Sequence, residues 1–161
     1  MAKQKASDDP NSKSISRNRR ARHEYEILDT LECGIALRGS EVKSCRAGKV
    51  SLEEAYARIN DGELWLLNCD IAEYPQANIM NHEPRRPRKL LLHKRELRKF
   101  ADAASHEGFT LIPLAMYFSE GRAKVEIAVG KGRKLHDKRE KMKTEAAKKE
   151  MRSALGKRGG R

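Results

Sequence analysis

Residues 110–129 read TLIPLAMYFSEGRAKVEIAV, and this stretch decides the fold class. Two apolar runs, Thr110 to Phe118 and Ala123 to Val129, are joined by Ser-Glu-Gly-Arg, which is typical of a β-hairpin. A second hairpin is predicted upstream, where Asn60-Asp61-Gly62 precedes Leu64-Trp65-Leu66-Leu67. Asp-Gly favours such a turn because both residues tolerate a positive φ. Antiparallel hairpins therefore dominate the expected fold.

The remaining elements are few. Tyr25 and Ile27 alternate with glutamates, which predicts a further strand that Gly34 interrupts. One or two helical turns are expected after Ser40, and a longer helix over His93 to His106 with Gly108 as its C-terminal cap. Residues 72–88 contain three prolines and are expected to be irregular. This pattern predicts a mainly β fold with accessory helices, a small closed or nearly closed antiparallel barrel.

Charge is distributed unevenly along the 161 residues, whose net charge is +12. Residues 1–22 carry +5, residues 131–161 carry +9, and residues 23–130 carry −2. A nearly neutral body with two basic ends predicts a polyanionic partner, either nucleic acid or an anionic membrane surface. The alternative is a pair of solvated tails that only aid solubility.

Composition also divides the chain into three parts. Residues 1–17 are polar, without an apolar period, and are expected to form a disordered basic arm. Residues 18–130 are expected to form the barrel. Residues 131–161 contain charges on all sides of any helix and are expected to be disordered when free, and helical once a partner neutralises them.

Several classes of protein are excluded by what the sequence lacks. No apolar run approaches the ~20 residues that span a bilayer, and the start has no secretory pattern. Three cysteines without CxxC spacing argue against a disulfide framework or zinc finger and favour the cytoplasm. No P-loop, GxSxG or HExxH motif is present, so we expect neither an enzyme nor a cofactor or metal.

Basic residues form three clusters that suit phosphate, since the planar arginine fork donates two hydrogen bonds. A histidine within the third cluster, His136, could stack on a base, although an ordinary exposed tail residue is the alternative. The clusters are Arg17, Arg19, Arg20 and Arg22; Arg85, Arg86, Arg88 and Lys89; and Lys131, Arg133, Lys134, Lys138 and Arg139 around His136-Asp137.

Four motifs carry a resemblance to a known family. They are Asn18-Arg19-Arg20-Ala21, the GSEVKSCRAG run from Gly39 to Gly48, Arg88-Lys89-Leu90-Leu91-Leu92, and the GRKLHDKR run from Gly132 to Arg139. In this order they resemble the SsrA-binding protein family, also called small protein B, the partner of transfer-messenger RNA. Cys45 stands where the family usually has an aliphatic residue, and Arg133 where it usually has Lys.

The resemblance implies an oligonucleotide-binding (OB) β-barrel. It also implies an RNA-binding adaptor that takes the tRNA-like domain of transfer-messenger RNA to stalled ribosomes, with elongation factor Tu in the delivery complex. The barrel then stands in for an anticodon arm, and the tail enters the messenger channel beside small-subunit rRNA. The RNA-binding residues implied are Asn18, Arg19, Arg20, Glu32, Lys43, Arg88, Lys89, Leu91 and Lys124. The tail residues implied at the decoding centre are Lys131, Arg133, Lys134, His136, Asp137, Lys138 and Arg139.

Two other functions stay open at this point. One is a constitutive ribosomal protein with rRNA-binding tails, which composition does not exclude. The other is an RNA-processing enzyme that uses aspartate or histidine side chains.

Overall fold

A computed structural model describes residues 13–156, and the two hairpins expected from the sequence organise it. The strands are β1 (Lys13–Arg17), β2 (Tyr25–Ile35), β3 (Val50–Ser51), β4 (Tyr56–Asn60), β5 (Glu63–Leu67), β6 (Asp70–Ile71), β7 (Arg88–Leu91), β8 (Phe109–Ser119) and β9 (Arg122–Gly132). The helices are α1 (Ala21–Glu24), α2 (Gly39–Arg46), α3 (Lys94–Ala104) and α4 (Leu135–Gly156), with a 3₁₀ helix over Pro75–Met80.

One antiparallel sheet closes into a ring. Its strand order is β1-β8-β4-β5-β7-β2-β9, and β8 also pairs with β9, so six strands complete the circuit. The short strands β3 and β6 form a separate pair. The expected mainly β fold with accessory helices is therefore confirmed, and the observed sheet is ring-like.

Both predicted hairpins are confirmed, and the positive φ expected at Asp61-Gly62 is found in both turns. The central residues of the turn between β4 and β5, Asp61 and Gly62, have φ of 50° and 70°. The central residues of the turn between β8 and β9, Glu120 and Gly121, have φ of 50° and 74°. Two consecutive positive φ values match the right-handed twist of the flanking strands, which is why two-residue hairpins favour this turn.

The core fills the inside of the ring. Along each long strand, alternate side chains point inward and lose their contact with water. The helix α3 covers one side of the ring. It contributes Phe100, the residue of its apolar stripe that is fully buried in the core. Fully buried core side chains include Leu64, Leu66, Leu90, Met116, Val125, Ile127 and Val129.

A proline sits within β8 without breaking it. The β8–β9 register shifts between Pro113 and Ala115, so the strand bulges there. Proline lacks a backbone N–H and is tolerated in a sheet at such bulges.

The N-terminal boundary differs from the prediction. Residues 13–17 form β1, which pairs with Ala115–Phe118 of β8, rather than belonging to a disordered arm. The alternation in KSISR is too short to identify as a strand, but β8 extends past its contact with β4 and offers a free edge, and Ile15 packs on the core. The rest of the predicted arm, residues 1–12, lies outside the described residues.

Two interior predictions also need correction. Gly34 does not interrupt β2, which continues to Ile35, because the missing Cβ leaves room for Leu91 on the next strand. The proline-rich residues 72–88 are not irregular throughout, since they contain the 3₁₀ helix and the start of β7.

The C-terminal boundary shifts as well. β9 runs to Gly132, so Lys131 and Gly132 belong to the sheet. The disorder expected of the free tail is not confirmed: residues 135–156 form α4, which contains good helix formers. The Lys141 ammonium donates to the Arg22 carbonyl at 2.6 Å, and Glu145 lies 3.8 Å from His23. These contacts attach the first half of α4 to α1. None of the helices between residues 13 and 156 is both long and apolar enough to cross a bilayer.

Candidate nucleic-acid interface

A row of four residues crosses four neighbouring strands on the outside of the ring. Leu91 of β7 is opposite Gly34 of β2, Gly34 is opposite Lys124 of β9, and Lys124 is opposite Tyr117 of β8. Their neighbours along the strands, such as Leu90, Val125 and Met116, are buried inside. Strand alternation therefore turns the row outward. We call Leu91, Gly34, Lys124 and Tyr117 the outer row.

Glu32 binds the charged end of this row. It lies two residues before Gly34 and thus on the same face of β2. Its Oε1 accepts a hydrogen bond from the Lys124 ammonium at 2.6 Å, and its Oε2 accepts one from the Tyr117 hydroxyl. One carboxylate therefore orients two side chains from two other strands.

These contacts also set the protonation of Glu32. Partial burial alone would raise its pKa, but the hydrogen bonds from Lys124 and Tyr117 and the Lys124 charge outweigh burial, so the pKa of Glu32 is lowered. For Tyr117, burial and the hydrogen bond to Glu32 both raise the pKa. At neutral pH the carboxylate is charged and the phenol is protonated, which keeps the group in this geometry.

Leu91 occupies the other end of the row, and Gly34 provides the space for it. A Cβ added at Gly34 would lie 3.3 Å from the Leu91 Cβ and 3.7 Å from its Cδ1. Leu91 rests over the glycine and is still 51% exposed. An ammonium, a phenol and an aliphatic side chain in one row can bind a phosphate, a base and a sugar of one nucleic-acid strand.

Arg88 requires a correction, because it cannot contact RNA from its position. Its side chain is completely buried and forms an ion pair with Glu41 at 2.8 Å. It also donates to the carbonyls of Cys69, Pro84 and Arg86. The sequence cluster suggested a phosphate site, whereas Arg88 fixes the proline-rich connection to α2.

The other basic residues of this cluster are also paired within the protein. Arg86 shares Glu41 with Arg88 at 2.6 Å. Arg85 pairs with Glu54 and Asp70, at 2.9 and 3.4 Å, and Lys89 pairs with Glu63 at 2.5 Å. Lys89 is on the outer face, like Leu91, and keeps 41% of its side chain exposed. Arg86 and Arg88 therefore form a largely buried ion network around Glu41, whereas Arg85 and Lys89 form exposed ion pairs.

The Glu41 carboxylate is the centre of that network. Burial would raise its pKa, but hydrogen bonds from Arg86 and from the Arg38 backbone, together with Arg88, lower it. A fully buried carboxylate is stable in this position because two guanidinium groups neutralise it.

Asn18 also proves to be a buried residue rather than a surface contact. Its Oδ1 accepts from the Ala21 N–H at 3.1 Å, and its Nδ2 donates to the Leu52 carbonyl at 3.1 Å. It thus holds the start of α1 against the loop that follows β3. The adjacent Arg19 and Arg20 are exposed, and Arg20 pairs with Glu24 at 3.2 Å.

The first and third basic clusters come together at one end of the ring. The Arg133 N–H donates to the Glu24 carbonyl at 2.9 Å, and Lys141 reaches Arg22. This end, which we call the basic end, contains Arg19, Arg20, Arg22, Lys131, Arg133, Lys134, Lys138 and Arg139. Asp137 lies in the first turn of α4, as does His136, whose side chain is outside the described part of the structure.

Lys43 lies apart from both surfaces. It is exposed on α2, and its ammonium lies 5.1 Å from the centre of the Tyr74 ring, which is within cation–π range. The structure therefore brings Glu32, Leu91 and Lys124 together and leaves Lys43 with the loop that contains Tyr74.

Sequence reasoning missed Tyr117, although a signal was present. The hairpin pairs Ser119 with Arg122. Two residues further from the turn on each strand, Tyr117 is therefore opposite Lys124. The turn signal alone could thus have placed this tyrosine beside the lysine.

The three cysteines lie in the core. Burial raises the pKa of Cys33 and Cys69 to about 12 and that of Cys45 to about 11. Their thiols are therefore unreactive at neutral pH. Cys45 fills an aliphatic position without exposing its sulfur. Within residues 13–156 no group of His, Cys, Asp and Glu side chains has the arrangement of a metal site.

Comparisons with known proteins agree on one family. The model described as "SmpB protein" matches residues 15–157. An SsrA-binding protein of Symbiobacterium thermophilum is 51% identical over 156 residues, covering 96% of this chain and 96% of its own. Another, from Mesorhizobium japonicum, is 55% identical over 133 residues, covering 82% of this chain and 84% of its own.

A solved structure gives the same answer for the fold. A chain described as "tmRNA-SmpB: a journey to the center of the bacterial ribosome" superposes with a TM-score of 0.64 at 54% identity. The match covers 74% of this chain and 85% of that one. The family model, the curated relatives and the structural neighbour coincide, and the chain belongs to the SmpB protein family.

Proposed function

We propose that this chain is an RNA-binding adaptor of trans-translation, which binds the tRNA-like domain of transfer-messenger RNA and delivers it to stalled ribosomes. The observation that carries the proposal is the outer row with Glu32, in a member of a family whose relatives are called SsrA-binding proteins. In this proposal Lys124 contacts a phosphate, Leu91 packs on a sugar or base, and Glu32 positions Lys124. The closed ring serves as an OB-type β-barrel that holds these side chains rigidly.

The basic end provides a second RNA surface. It lies at the start of β2, nine residues from Gly34, and a strand of that length separates the two surfaces by roughly 30 Å. One surface holds transfer-messenger RNA while the other faces the ribosome. The tail residues Lys131, Arg133, Lys134, His136, Asp137, Lys138 and Arg139 then contact small-subunit rRNA in the decoding centre and messenger channel.

Arg19 and Arg20 belong to the same basic end and add phosphate contacts there. Elongation factor Tu is the further partner of the delivery complex, and the site of action is the cytoplasm. The adaptor uses binding alone, without catalysis and without a cofactor.

The experiment that tests this proposal measures binding of the full chain to the tRNA-like domain. Lys124→Ala is compared with Lys99→Ala, since Lys99 also pairs with a carboxylate of β2, Asp29, at 3.2 Å. We expect only the Lys124 variant to bind weakly. Equal losses in both variants would show that general charge, not the outer row, binds the RNA.

A second arm identifies the natural ligand. RNA that co-purifies with the chain from cells is sequenced after a high-salt wash of the ribosomes. We expect the wash to release the chain from the ribosomes together with transfer-messenger RNA. A chain that stays on washed subunits without it would instead be a constitutive ribosomal protein.

A further inference from the structure

The loop between β6 and β7 presents two apolar side chains to solvent. Ile79 is 98% exposed and Met80 is 81% exposed, more than any other large hydrophobic residue among those described. They are adjacent at the end of the 3₁₀ helix. Apolar side chains placed together on a surface commonly mark a contact with another molecule.

This loop is held in a fixed shape. Asn81 closes it, because its Oδ1 accepts from the Tyr74 N–H at 3.0 Å and its Nδ2 donates to the Tyr74 carbonyl at 2.9 Å. Next to it, the buried His82 contacts the Ile71 carbonyl and the Ser40 hydroxyl, each at 2.9 Å. The base of the loop is thus tied to β6 and α2.

The tip of the loop has an uncommon backbone. Asn78, directly before Ile79, has φ 48° and ψ −122°, outside the regions that side-chain-bearing residues usually adopt. Such conformations persist when their surroundings enforce them and tend to occur at binding sites. The two residues that follow Asn78 here, Ile79 and Met80, face solvent.

The charge of this loop differs from that of the RNA surfaces. Residues 72–84 contain no Lys or Arg and include the exposed Glu73 and Glu83, so the loop stays net negative even with the Lys43 ammonium over its Tyr74 ring, in a chain of net charge +12. Phosphate would be repelled by these carboxylates, so the loop does not suit an RNA backbone. A basic protein surface with an apolar pocket complements it in both charge and hydrophobicity.

We infer that the Tyr74–Asn81 loop is a docking site for a basic protein of the ribosome, into whose apolar pocket Ile79 and Met80 insert. This inference rests on the proposed function, because that function brings the chain to the ribosome. It adds a protein contact to the two RNA surfaces.

The test places a photo-crosslinking amino acid at position 79 of the full chain, bound to transfer-messenger RNA and purified ribosomes. We expect an adduct that protease destroys and nuclease leaves intact, and that mass spectrometry assigns to a ribosomal protein. The matched control is the same amino acid at Leu28, an exposed apolar residue of β2. An adduct at position 79 with RNA or with a second copy of the chain would overturn the inference, and so would the absence of any adduct.

A double variant, Ile79→Ser with Met80→Ser, provides a second readout. Both side chains are solvent-exposed, so the fold is expected to be unchanged by thermal melting. Ribosome binding should weaken about tenfold, while affinity for the tRNA-like domain stays the same. Unchanged ribosome binding would refute the docking site alone, whereas failure of the parent chain to bind the RNA would refute the proposed function.

Discussion

The Lys124 ammonium lies 2.6 Å from the Glu32 carboxylate on the adjacent strand, and both side chains face outward. A carboxylate in a surface proposed to bind RNA would by itself repel phosphate. Because it holds the lysine and the Tyr117 hydroxyl in place, its orienting effect can exceed that repulsion. The two effects predict opposite results on substitution.

Glu32→Gln should therefore weaken binding to the tRNA-like domain. We expect a loss of about tenfold, or ~1.4 kcal/mol, because the amide holds Lys124 less firmly than a carboxylate does. Filter binding or fluorescence anisotropy measures it, with Asp29→Asn as the matched control. Tighter binding by Glu32→Gln would show that repulsion dominates.

Salt dependence provides a second prediction. If the chain makes about 6–10 phosphate contacts, its affinity should fall roughly 10³–10⁵-fold between about 50 and 200 mM salt, somewhat less for a flexible RNA. Lys124→Ala should reduce the slope of log affinity against log salt by about one. An unchanged slope would mean that Lys124 does not contact a phosphate.

The buried ion network predicts a large effect on stability. Glu41→Gln leaves Arg88 buried without a counter-charge, and breaking such a pair costs about 3–5 kcal/mol. Urea denaturation measures the free energy of unfolding. The control is Glu63→Gln on the exposed Lys89 pair, where about 0–1 kcal/mol is expected. Similar losses in both variants would contradict the structural role of Arg88.

The same network should make stability depend on acid pH. The pKa of Glu41 is lower in the folded protein than in the unfolded chain, so the folded state is stabilised when this group is charged. That stabilisation is complete above the unfolded pKa of about 4.3 and is lost as the pH falls through the lower folded value. Thermal melts across acid pH should therefore show a shallower decline in Glu41→Gln than in the parent chain.

Two glycines allow packing and binding to be separated. In Gly34→Ala the new Cβ would lie 3.3 Å from the Leu91 Cβ, which moves only with the β7 backbone, so a small shift of β7 should cost about 1 kcal/mol of stability while RNA binding weakens. In Gly130→Ala the Cβ would lie 3.0 Å from Ile112 Cδ1 and 3.1 Å from Tyr25 Cβ. That crowding should cost about 1–3 kcal/mol. Normal RNA binding by Gly34→Ala would exclude a role for the placement of Leu91.

The tail should act after RNA binding. Replacing Asp137, Lys138 and Arg139 by alanine leaves the outer row intact, so affinity for transfer-messenger RNA should be unchanged. Tagging of nascent chains on stalled ribosomes should be lost. If the triple variant fails to bind the free RNA, the division between the two surfaces is wrong.

The sequence predicts local features of this fold well and long-range ones poorly. The turns at Asp61-Gly62 and Glu120-Gly121 and the helix with Phe100 follow from nearby residues. Arg88 shows the limit, because its partner Glu41 is 47 residues away and a run of basic residues reads the same whether buried or exposed. The strand β1 was missed for a similar reason, since only the free edge of β8 makes KSISR a strand.

The candidate site shows the same contrast. Glu32, Leu91 and Lys124 came from the family resemblance, and the sheet register then explains why they lie together. Asn18 belonged to the same motifs, yet its amide supports α1 from within. A shared motif therefore contains both surface residues and residues that only maintain the scaffold.

The eleven residues of β8 serve three partners, with β9 along one edge and both β4 and β1 along the other. A version of the protein that started at Asn18 would keep Ala115–Phe118 paired with β9 on one edge but leave their other edge without backbone partners. Bare amides and carbonyls on a strand edge recruit other chains, so removing residues 13–17 should make the protein more prone to aggregation.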